Sequence, residues 1–118
     1  MPPSRPDPPT GVSATDGVGS NVVITWNAVP INGINYFVFR STSQGDEGIQ
    51  IGATNGNTLT WTDTTALPNR TYWYGVKSVK GSSCSVLSIQ NSGFWSTGNI
   101  PAPPVPSPPT IISVVYVP

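Results

Sequence analysis

Acid–base chemistry in this chain would have to come from carboxylates, because there are five acidic residues and no histidine. The five are Asp7, Asp16, Asp46, Glu47 and Asp63. Without histidine the commonest general base and the commonest metal ligand near neutral pH are both missing. Paired carboxylates can act as acid and base, and Asp46 and Glu47 are adjacent. They sit between Gly45 and Gly48 in a polar loop, where solvated turn residues are expected. Calcium needs six or more oxygens, and nothing near this pair supplies them, so neither a metal site nor a cofactor is implied. Asp63 falls at a strand end, where bonding to local backbone is expected. Cys84 is the single cysteine, which excludes an intrachain disulfide or a cysteine zinc site and leaves either an incidental thiol or a crosslink between two chains. No nucleophile, base and orienting group can be assembled. The chain is therefore expected not to be an enzyme.

The remaining recognition chemistry is aromatic. Pro68-Asn69 forms a turn leading into Tyr72–Val79, a run of aromatic and β-branched residues that suits a pleated, half-buried strand. Period two places Tyr72, Tyr74, Val76 and Ser78 on one face, with Trp73, Gly75, Lys77 and Val79 on the other. Tyr36–Arg40 alternates likewise, with Tyr36 and Val38 opposed to Phe37 and Phe39. Trp26, Tyr36, Trp61, Tyr72 and Tyr74 have the phase of a structural core. Phe37, Phe39 and Trp73 fall on the opposite face of two strands, either a candidate binding patch that stacks on sugar rings or docks a neighbouring domain, or rings that shield the sheet or are covered by loops or the C-terminal segment.

The elements that must position these side chains are short strands. Gly11–Thr15, Asn21–Asn27, Tyr36–Arg40, Ile49–Ala53, Leu59–Thr62, Tyr72–Val79 and a longer, less regular Val86–Phe94 are separated by turn signals such as Asn32-Gly33 and Asn55-Gly56-Asn57. No window has helical spacing. Seven such strands argue for an all-β antiparallel sandwich. Of the 14 prolines, 12 lie before residue 10 or after residue 100, which marks residues 1–8 and 98–109 as Pro-rich linkers around a domain at 9–97. After the second linker, residues 110–118 carry a further strand-forming segment, with Ile111, Ile112, Val114, Val115, Tyr116 and Val117. It reads either as the start of a following domain or as an assembly strand that pairs with a sheet edge.

Charged residues make up 8% of the chain and cancel to a net charge of zero, so no field favours nucleic acid or an anionic membrane. No apolar run approaches the ~20 residues that span a bilayer.

Taken in order, Pro8-Pro9-Thr10-Gly11-Val12-Ser13-Ala14, Val22-x-Ile24-x-Trp26, Tyr36-x-Val38-Phe39-Arg40, Trp61-x-Asp63-Thr64 and Pro68-Asn69-x-Thr71-Tyr72-x-Tyr74-x-Val76 resemble a fibronectin type III domain, from residue 8 to about residue 96. Asn91-Ser92-Gly93-Phe94 is similar to the last strand of bacterial members. The resemblance implies a seven-stranded antiparallel immunoglobulin-like sandwich, with sheets of three and four strands and no disulfide. It also implies a tyrosine corner, in which the hydroxyl of Tyr72 bonds upstream backbone. Ala66 stands where the family usually has Leu two residues before the corner proline, with Leu67 one place later. The implied role is a non-catalytic spacer or interaction module of a larger secreted or surface protein, bacterial or from a phage, located outside the cell. Its expected partners are neighbouring domains or copies of itself, and polysaccharide if the aromatic patch is adhesive. A third reading is a filament or virion subunit that assembles through its C-terminal strand.

Overall fold

A computed structural model describes residues 5–97, which form nine strands and no helix. They are β1 (Ser13–Ala14), β2 (Asp16–Val18), β3 (Val22–Thr25), β4 (Ile34–Ser41), β5 (Ile49–Asn55), β6 (Thr60–Asp63), β7 (Tyr72–Lys80), β8 (Ser83–Cys84) and β9 (Asn91–Ser96). One sheet has the order β1-β3-β6; the other has the order β2-β9-β7-β4-β5, with β8 paired to β7. All pairings are antiparallel except β2 with β9.

Alternation builds the core. Val22 and Ile24 of β3, Tyr36 and Val38 of β4, and Tyr74 and Val76 of β7 are fully buried between the sheets, with Trp26 and Tyr72 beside them. Each such side chain contributes about 1.5–3 kcal/mol by leaving water. Trp26 meets Tyr36 edge-on at 5.5 Å, the arrangement that ring quadrupoles favour. Val29 N–H donates to the Tyr36 hydroxyl at 2.9 Å, so the buried phenol keeps a partner. Trp61 is only half-buried and packs against the core from one side. A Cβ on Gly52 would fall 2.3 Å from the Trp61 ring, so a glycine is what lets this ring lie down across β5.

Nine strands replace the expected seven for two reasons. The first strand divides at Thr15, whose N–H donates to Val23 O at 3.1 Å while its carbonyl accepts from Phe94 N–H at 3.0 Å. One residue thus bonds both sheets, and the chain passes from the small sheet to the large one there. The short β8 adds the second extra strand, which raises the large sheet from four strands to six.

The last strand also differs from expectation, running Asn91–Ser96 in place of Val86–Phe94. Before it, Ser85 and Ser88 bond β7 through both backbone and side chain. Ser85 N–H donates to Ser78 O and Ser88 N–H to Val76 O, while the Ser85 and Ser88 hydroxyls accept from Ser78 N–H and Val76 N–H, each at 2.9 Å. A hydroxyl standing in for a carbonyl satisfies β7 without an extended partner, so this stretch advances three residues where a strand would advance two.

The chain ahead of β1, composed like a linker up to residue 8, lies on the sandwich from residue 5 onward. Pro6 and Pro9 are buried, Ser78 Oγ donates to Asp7 O, Arg5 Nε donates to Cys84 O at 2.8 Å, and Asn27 N–H donates to Thr10 O at 2.9 Å. Thr10 therefore lies past the C-terminal end of β3, whereas Gly19 N–H, ahead of β3, donates to Ser96 O at 3.0 Å. The chain comes onto the domain at one pole and leaves at the other. The expected linker 98–109 and the segment 110–118, with Ile111, Ile112, Val114, Val115, Tyr116 and Val117, lie outside the described residues.

Candidate interaction surface

The three rings of the expected patch are not brought together as an exposed platform. Across the β4–β7 ladder, Phe37 faces Lys77, Phe39 faces Gly75 and Ser41 faces Trp73. Phe37 and Trp73 are thus about four residues apart along the sheet, roughly 13 Å at ~3.3 Å per residue. Phe39, between them, is 8% exposed and counts as buried. Its cover comes from two sides. Lys77 Nζ sits 5.0 Å from the Phe39 ring centroid, held there by Glu47 at 2.7 Å. Leu87 lies against Gly75, where an added Cβ would meet its Cδ1 at 2.8 Å. Phe37 and Trp73 stay half-buried and separate.

The acidic loop is occupied with its own geometry. Asp46 Oδ1 accepts from Gly48 N–H at 3.2 Å, and the Gln90 side chain ties the loop down through Gly45 N–H and Asp46 O, both at 2.7 Å. Gly48 has φ +76°, and a Cβ there would strike Arg40 O at 2.0 Å, so only glycine fits. Cys84 is half-buried at the edge of β8.

Asp63 does more than bond local backbone. It is 2% exposed. Its Oδ2 accepts from the Tyr74 hydroxyl at 2.7 Å and from Arg40 Nη1 at 2.9 Å. Its Oδ1 accepts from Thr65 N–H at 2.9 Å and Thr65 Oγ1 at 2.8 Å. Arg40 in turn lies 4.6 Å over the Tyr72 ring. Burial pulls the Asp63 carboxyl upward, but the hydrogen bonds from Tyr74, Thr65 and Arg40 outweigh it and hold the group below the usual carboxylate value. Burial, and then the Asp63 carboxylate, push the Tyr74 hydroxyl far above its ordinary value. The cluster joins β6 of one sheet to β4 and β7 of the other. Every member is engaged with another member, which is how a buried charge is tolerated, and the arrangement holds the layers together.

The surface that does remain open is an edge. Beside the start of β9, Ile89 is 91% and Val86 54% exposed. With Pro8, Pro9, Thr10, Gly11 and Val12, Ile89 lines an apolar cleft of ≈ 340 Å³. Sequence reasoning missed it by placing all of Val86–Phe94 in one strand, although a longer and less regular one than the others. The signal was the spacing of Ser85 and Ser88, three residues apart.

At the corner, Leu67 N–H donates to the Tyr72 hydroxyl at 3.1 Å. Ala66 turns inward while Leu67 is 52% exposed. Trp95 packs on the core and donates its indole N–H to Ala66 O at 2.8 Å, tying the corner to the last strand.

No family model and no curated protein matches the chain. Solved structures do. An Fn3-like protein from Clostridium thermocellum is 29% identical with a TM-score of 0.67, over 78% of this chain and 95% of that one. The structure named FN3tt is 19% identical with a TM-score of 0.66, over 81% of this chain and all of that one. The fold is fibronectin type III. Fibronectin type III domains also recur as parts of larger chains. Pectate lyase Pel3 from Pectobacterium carotovorum matches at 28% identity and a TM-score of 0.61, over 82% of this chain but only 28% of the lyase. In this sandwich the tyrosine corner and the Asp63 cluster spend their polar groups on the fold itself, which leaves the open edge as the candidate contact surface. Among the described residues no group of three or more His, Cys, Asp or Glu side chains could hold a metal, and no helix is long and apolar enough to cross a membrane.

Proposed function

We propose that this fibronectin type III domain is a non-catalytic spacer and contact module of a larger protein that works outside the cell. One observation carries the reading: the chain is fastened to the sandwich before it enters β1 and leaves at the opposite pole. Buried Pro6 and Pro9, the Ser78–Asp7 bond and the Arg5–Cys84 bond fix the direction in which a domain ahead of residue 5 would point. Stiffness at the junction is what a spacer needs, since a flexible one sets only a maximum reach. A chain with 8% charged residues relies on Ser, Thr, Asn and Gly for solubility, which suits an extracellular β-module. Fusing a small folded domain ahead of residue 5 and recording small-angle scattering tests this. A single extended shape is expected, which Pro6→Gly with Pro9→Gly broadens into many. A broad distribution in the unsubstituted fusion overturns the reading.

A further inference from the structure

We propose that the open edge is the seat of residues 110–117 of a second copy of this chain, added as a strand. The inference rests on the domain being a contact module and names its partner.

The edge has two halves. Along one, β2 pairs in parallel with β9, Asp16 to Phe94 and Val18 to Ser96, and closes the gap between the sheets. Along the other, Thr10 stays with the small sheet through Asn27 while Leu87–Ile89 follow β7, so the two layers stand apart with an apolar cleft between them. Among the described residues the backbone N–H groups of Val86, Leu87 and Ile89 have no hydrogen-bond partner. Unpaired donors beside an apolar slot are what an added strand satisfies.

Residues 110–117 fit that slot by pattern. Ile111, Val115 and Val117 share one parity with Ser113; Ile112, Val114 and Tyr116 share the other. A strand with one wet face alternates apolar and polar, whereas one apolar on both faces needs cover on both, and a slot between two layers provides it. Neither the segment nor the cleft lining contains a charge, so no ion pair or buried charge opposes the contact.

Reach decides between a chain's own segment and a neighbour's. The slot lies at the pole where the chain comes in, and Thr97 leaves at the other, eight residues or about 26 Å from Ile89. Residues 98–109 span up to about 37 Å at ~3.1 Å per residue, but six prolines between 101 and 109 resist the reversal needed to double back. A second copy lies straight ahead. Such a contact is heterologous and does not close on itself, so copies add head to tail.

Sedimentation of the full chain tests the proposal. Its weight-average mass should rise above 12.4 kDa as concentration increases. Ile89→Asp, at a 91% exposed position, blocks the slot; Val114→Asp spoils the segment. Each variant alone should remain at 12.4 kDa with an unchanged melting curve. Mixed, they should form a pair and nothing larger, because only one good slot and one good segment remain. A full chain that stays monomeric at every concentration overturns the proposal, and leaves the spacer reading to the scattering of its own fusion. Association lost in Val114→Asp but retained in Ile89→Asp overturns the slot as the seat.

Discussion

On its inner face β7 presents Tyr72, Tyr74, Val76 and Ser78, and on its outer face Trp73, Gly75, Lys77 and Val79. Tyr72, Tyr74 and Val76 pack into the core shared with the facing sheet, at the period-two positions that alternation marks, and Ser78 bonds the entry segment at Asp7 O. The outer residues meet a loop (Glu47) and an irregular segment (Leu87) whose positions no periodicity encodes. The inner face was therefore readable residue by residue, while the outer face was readable only as the side away from the core. Phe39 shows the difference: its phase is outward, yet it is buried, because Lys77 and Leu87 arrive over it.

The largest effect should come from removing the block that the inner face packs against. Trp26→Ala is expected to cost about 3–5 kcal/mol, or at least about 12 °C in melting temperature for a domain of this size. The loss is net of one defect, because the Trp26 indole N–H is buried without a partner. A melting curve near that of the unsubstituted chain would erase the distinction between the two faces.

Asp63 sharpens the comparison from its polar side. Asp63→Ala leaves the Tyr74 hydroxyl without its acceptor and Arg40 with Thr65 Oγ1 alone, and should cost about 2–4 kcal/mol, below the full value for a broken buried pair because Arg40 still reaches solvent. Its folded carboxyl lies below the ordinary aspartate value of 3.8. The stabilisation is thus complete above the unfolded value and is lost as pH falls through the lower folded one. Acid titration of the melting temperature should show the unsubstituted chain losing stability below about pH 4, with Asp63→Asn flatter over that window. Parallel curves would mean that the carboxylate is not what the cluster holds. The position of Asp63 at a strand end was legible; its partners Arg40 and Tyr74 were not, because they come from strands 23 and 11 residues away.

Gly75→Ala probes the outer cover directly. The new Cβ would press on Leu87 at 2.8 Å, and overpacking of this kind costs about 1–3 kcal/mol. Since Leu87 stands over an open face and can lift, the low end is expected. Lifting it should expose Phe39, which increased binding of a hydrophobic dye would report. Destabilisation equal to that of Trp26→Ala would mean the outer face is a second core.

Trp73→Ala should do least, at under about 1 kcal/mol, because the ring is half-buried on an open sheet and faces Ser41. The same variant decides whether the outer aromatics recognise sugar. Stacking on a pyranose or a polysaccharide surface needs rings that are exposed together. Here Phe37 and Trp73 flank a covered Phe39, so each could offer only a partial contact. Titrating soluble polysaccharides against tryptophan fluorescence, and measuring retention on insoluble ones, should give no signal that Trp73→Ala removes. Trp26, Trp61 and Trp95 also fluoresce but sit in the core or packed against it, so a change that survives Trp73→Ala would report the fold rather than a sugar. A change that vanishes with it, while the melting curve stays in place, would restore the outer face of β7 as a binding surface.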